Sequence, residues 1–75
     1  MTKLPMVSGE KTIKALKRVG FTVVRQKGSH VRLEKETLEG VIKLTVPLHE
    51  TLKKKTLSMI LKEAGISIEE FVELL

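Results

Sequence analysis

The chain has no cysteine, no tryptophan and no tyrosine, and among its 75 residues there are only two phenylalanines and two prolines. Without cysteine it can have neither disulfide staples nor a thiolate zinc site, so packing alone must hold the fold. Two phenylalanines are too few for the stacking platforms on which RRM and OB-type domains bind single strands. No apolar run approaches the ~20 residues that cross a bilayer. The N-terminal MTKLPMVSGEK also lacks the apolar stretch of a signal peptide. The expectation is a soluble cytoplasmic protein with no membrane partner.

What the chain does have is charge and aliphatic side chains. Charged residues make up 31% and hydrophobic ones 41%, and the formal net charge is +5. This composition belongs to a folded domain rather than a disordered segment. The length allows one small domain, residues 1–75, with a thin core. Excess lysine and arginine suit a polyanion, whose condensed counterions are released on binding. An acidic protein partner would use the same field.

Ser8 stands before GEKTIKALKRVG, where it can cap a first helix with Glu10 at the positive end. Ile13, Leu16 and Val19 form the apolar stripe and Gly20 the stop. FTVVRQ is rich in strand formers and ends at a KGS turn. HVRLEKE then alternates, with Val31 and Leu33 on one face and His30, Arg32 and Glu34 on the other. TLEG closes a hairpin. In VIKLTV, Ile42, Leu44 and Val46 point inward, Lys43 and Thr45 outward, and Pro47 ends the run.

TLKKKTLSMILKEAG carries Leu57, Ile60, Leu61 and Ala64 at helical spacing, with Thr51 or Thr56 as N-cap and Met59 at the margin of the core. ISIEEFVELL holds a capping box, Ser67 with Glu70, and a staple pair, Ile66 and Phe71, so a last helix begins near Ile68. The predicted architecture is α+β: a helix, a three-stranded antiparallel sheet, a helix and a short C-terminal helix. The helices cover one sheet face and leave His30, Arg32, Lys43 and Thr45 on the open one.

Taken together, VSGEKTIKALKRVGF, RQKGSHVRL, TVPLH and TLSMILKEAGISIEEFVELL resemble HicA, the mRNA-interferase toxin family of HicAB toxin–antitoxin modules. The resemblance covers nearly the whole chain, with the motifs in the family's order. It implies a fold similar to the double-stranded-RNA-binding domain, endoribonuclease activity on mRNA and a HicB-type antitoxin as partner. It also implies a functional histidine in a Gly-Ser-His motif, here Gly28, Ser29 and His30. One departure is at the start of the second helix. Many members have Lys-Gly-Thr-Leu there, whereas this chain has Lys55, Thr56 and Leu57 without the glycine.

RNA carries its own nucleophile, the 2′-hydroxyl, so a metal-independent ribonuclease needs only proton transfer and charge stabilisation. Imidazole, with a reference pKa near ~6.5, performs either proton task at neutral pH. His30 is therefore the candidate catalytic residue. Lys27, Gly28, Ser29, Arg32 and Lys43 are the candidates for substrate binding, through turn N–H groups, a hydroxyl and cations. His49 reads as a loop or cap residue, and Lys53 to Lys55 read equally as a solvated face and as an RNA contact. No HExxH, CxxC or P-loop motif is present, so no metal, organic cofactor or small-molecule ligand is implied. The alternative function is a noncatalytic RNA-binding module of double-stranded-RNA-binding-domain shape, which needs only the cations.

Overall fold

A computed structural model describes residues 3–75. The elements follow one another as α1 (Gly9–Arg18), β1 (Thr22–Lys27), β2 (His30–Thr37), β3 (Gly40–Pro47), α2 (Lys54–Ala64) and α3 (Ile68–Leu74). The strands form one antiparallel sheet in the order β1-β2-β3, so the α+β expectation holds. Among the described residues no helix is long and apolar enough to cross a membrane.

Local chemistry accounts for the helix ends. Ser8 Oγ accepts from the Lys11 N–H at 3.1 Å, and the Thr12 hydroxyl donates to the Ser8 carbonyl at 2.9 Å, which satisfies the one buried polar side chain of the core. In α3 the Glu70 N–H donates to Ser67 Oγ and the Ser67 N–H to the Glu70 carboxylate, the reciprocal pair expected from the sequence. The start of α2 corrects the sequence reading. Its N-cap is Lys53, with no side-chain cap, rather than Thr51 or Thr56, so Lys54 and Lys55 belong to the helix. Met59 is another correction, since it is 55% exposed and not at the core margin.

The core lies between the helices and one face of β2 and β3. Val31, Leu33, Leu44 and Val46 from the sheet meet Leu16, Leu57, Ile60, Leu61 and Phe71 from the helices. Full burial of such a side chain is worth about 1.5–3 kcal/mol. A helix as short as α3, with seven residues, does not persist alone in water. Its only buried residue, Phe71, is completely enclosed and fastens it to the core.

The helix layer does not reach β1, all six residues of which are exposed. Lys35, on the same side of the sheet, lays its ammonium 5.7 Å from the centre of the Phe21 ring, so a cation closes the core where the helices stop.

Candidate functional site

Every sequence-predicted site residue except Lys43 lies at the β1–β2 turn or beside it. Lys27 pairs with His30, leaving Gly28 and Ser29 as a two-residue hairpin loop. Gly28 has φ 60° and Ser29 is not among the residues with positive φ, which is the type II′ pattern that suits the right-handed twist of paired strands. Gln26 Nε2 donates to the Gly28 carbonyl at 3.2 Å, and the Leu48 N–H donates to the Ser29 carbonyl at 2.6 Å. The turn is thereby tied both to its own strand and to the end of β3.

Across β3, His30 stands opposite Pro47, Arg32 opposite Thr45 and Glu34 opposite Lys43. Val31 and Leu33 are buried while His30 and Arg32 are exposed, so the alternation read from HVRLEKE is correct.

The sequence reading missed Arg25. Strict alternation along β1 would put Val23, Arg25 and Lys27 on one face. The β1–β2 register instead slips between Val23 and Arg25, leaving Val24 as an extra residue. Val23 then sits opposite inward Leu33, whereas Arg25 sits opposite outward Arg32 and Lys27 opposite outward His30. A bulge of this kind re-aims the side chains that follow it. Its signal in the sequence is the adjacent pair of valines, which breaks a period of two.

The result is an open depression of about 220 Å³ lined by Arg25, Lys27, His30, Arg32 and Thr45. It gathers an imidazole, three fixed cations and a hydroxyl, with no carboxylate in its wall. The acidic residues of this face, Glu34 and Glu36, line a separate hollow with Thr22 and Val24. The open sheet face is therefore polarised along its strands, with cations alone at the turn and, away from it, Glu34 and Glu36 against the single cation Lys43.

Lys43 does not line the depression but stands two residues before Thr45 on the same face, ~7 Å along the strand, where it faces Glu34. His49 lies in the loop after β3, where its carbonyl accepts from the Gly9 N–H at 2.9 Å and the residue lines a different hollow with Ser8, Glu10, Leu48 and Glu50. Lys53, Lys54 and Lys55 are all exposed. Among the described residues no group of three or more His, Asp or Glu is placed to hold a metal ion.

The end of β3 opposite His30 is held by a close approach of backbone to backbone. A methyl group on Gly9 would collide with the Pro47 carbonyl oxygen and lie 3.1 Å from Leu48 Cα, so only glycine lets α1 start there. Gly9 is thus a supporting residue that the sequence alone did not single out.

Fold and site together define a class: a small basic α+β domain that displays one imidazole among fixed cations on an uncovered sheet, a surface suited to phosphate groups. Comparison with protein families narrows the class. The chain belongs to the HicA toxin family, since the family model described as HicA toxin of bacterial toxin-antitoxin matches residues 9–66, from the first residue of α1 to just beyond α2. It is accordingly the toxin of a toxin–antitoxin pair. No curated protein matches the chain.

Proposed function

We propose that this toxin is an endoribonuclease that cleaves mRNA in the cytoplasm, with His30 as general acid/base, and that residues 1–75 act as a single catalytic domain. The observation that carries the reading is the register that sets exposed His30 beside Lys27 and groups both with Arg25 and Arg32 around one depression. Cross-strand partners have Cβ atoms within about 5.5 Å, so a phosphate bound by these cations lies within reach of the imidazole.

The reaction proceeds by attack of the 2′-hydroxyl oxygen on the adjacent phosphorus. The new O–P bond forms as the bond to the 5′-oxygen breaks, leaving a 2′,3′-cyclic phosphate and a 5′-hydroxyl. A proton leaves the 2′-hydroxyl and another reaches the 5′-oxygen. His30 transfers one of them, a contribution of about 10² to 10⁴ in rate. The Lys27 ammonium or water handles the other. Arg32 and Arg25 offer forked donors to the phosphorane oxygens, whose charge grows in the transition state. Gly28 and Ser29 add turn N–H groups and a hydroxyl at the same edge.

The polarised sheet sets where the strand lies. Phosphates gather at the turn end and avoid Glu34 and Glu36. A HicB-type antitoxin that covers the turn end would block both substrate and imidazole.

An RNA oligonucleotide with a single 2′-deoxy substitution at the cleaved nucleotide tests the mechanism. It should bind as the all-ribose strand does and resist cleavage at that position. Cleavage at an unchanged rate would mean that the nucleophile is not the 2′-hydroxyl. Binding without cleavage of any RNA would favour the noncatalytic RNA-binding module.

A further inference from the structure

On the helix layer, opposite the face that carries His30, a groove of about 440 Å³ runs between the N-terminal segment, α1 and the end of α3. Its floor is apolar, made by Pro5, Met6, Val7, Leu74 and Leu75. Two of these side chains are well exposed, Met6 at 79% and Leu75 at 47%. One wall is a stripe of α1 that carries Lys11, Lys14 and Arg18 at helical spacing, and no Asp or Glu side chain lines the groove.

We infer that this groove is a second docking site for the antitoxin, separate from the turn end it would cover on the sheet face, and that it takes an amphipathic segment whose apolar side chains are flanked by Asp or Glu. The apolar floor offers area to buried side chains, and the three cations select an acidic edge. Among the described residues Lys11 makes no ion pair, and Lys14 makes only an exposed contact with Glu10 at 3.7 Å. Arg18 donates through Nη1 to the Leu74 carbonyl at 2.9 Å, which fixes the guanidinium at the groove wall while its remaining N–H groups stay available. RNA fits the site less well, because the floor has no aromatic ring for stacking and no polar donors.

All five floor residues lie outside residues 9–66, the stretch matched by the family. The groove thus joins three cations of the matched stretch to apolar residues that flank it. It is also distinct from the His30 depression, with which it shares no residue. The inference rests on the pairing with an antitoxin and not on RNA cleavage, so the two readings fail separately.

The test is calorimetric titration of the cognate antitoxin into the full chain carrying His30→Ala, with Lys11→Glu/Lys14→Glu and Met6→Asp as further variants. Lys11→Glu places a glutamate three residues after the Ser8 cap, where it completes a capping box, so the charge reversal does not threaten the helix. Met6 is exposed enough that its replacement opens no core. Each variant should weaken antitoxin binding about tenfold or more at physiological salt, and the charge reversal should also flatten the salt dependence. Wild-type affinity in both variants overturns the inference. So does a charge reversal that weakens RNA binding while antitoxin affinity stays unchanged, which would assign the groove to nucleic acid. Circular dichroism checks the fold; if one variant fails to fold, wild-type affinity in the other overturns the inference.

Discussion

Replacing Gly9 with alanine sets two physical expectations against each other. Judged by helix propensity, Gly→Ala inside a helix gains up to about 1 kcal/mol. Gly9 is buried, however, and its position admits no methyl group, because the Pro47 carbonyl oxygen and the Leu48 Cα already occupy that space. Neither obstacle is a flexible side-chain tip. The Leu48 N–H is bonded to the Ser29 carbonyl at 2.6 Å and Pro47 pairs with His30, so the strand end cannot retreat without disturbing the turn. Overpacking of this kind costs about 1–3 kcal/mol. If α1 moves away instead, the bond from Gly9 N–H to the His49 carbonyl is lost, at about 0.5–1.5 kcal/mol. The propensity gain, smaller at this first helical position than in a helix interior, offsets part of this and leaves a net loss of about 0.5–2.5 kcal/mol. At ~4–8 °C per kcal/mol for a domain of this size, thermal unfolding should move down by roughly 2–20 °C. Far-ultraviolet circular dichroism measures it. A Tm equal to or above that of the unsubstituted protein would refute the close approach and with it the proposed anchoring of the site.

Other outcomes follow from the same structure. Phe71→Ala empties a fully enclosed site and should cost about 3–5 kcal/mol, a large share of the roughly 4–11 kcal/mol available to so short a chain, so denaturant titration should show α3 detached or the protein unfolded. Gly28→Ala meets no steric obstacle, but its positive φ should cost about 1–2 kcal/mol, and activity should fall further than stability because the turn aims His30. If three cations hold single-stranded RNA, affinity should drop roughly 20-fold between ~50 and ~200 mM salt, and Arg25→Ala should reduce that salt slope by about 0.7 in a filter-binding titration. An unchanged slope would remove Arg25 from the site.

Where a residue's neighbours in sequence determine its role, the sequence was legible. The capping box of Ser67 and Glu70, the stripe of α1 and the outward set of β2 each depend on spacings within a few residues, and the structure has them as read. The start of α2 was not legible, because two threonines are better caps than Lys53, which caps the helix without a side-chain bond. Arg25 and Gly9 were hidden for a different reason. One owes its place to a bulge, which depends on how β1 pairs with β2, and the other to a backbone approach from β3, some forty residues away in the chain. Lys43 was grouped with the site by facing alone. The register sets it next to the depression and opposite Glu34 rather than in the wall, since alternation gives the face of a side chain and not its distance along the strand.

The central claim is that His30 is the proton-transfer group of a ribonuclease. Incubation of a defined RNA in EDTA with the unsubstituted toxin and with His30→Ala, both shown to be folded by circular dichroism, tests it most directly. The account predicts cleavage by the unsubstituted protein and a rate at least ~10²-fold lower for the variant, with RNA affinity little changed. Equal cleavage by the two proteins would contradict it.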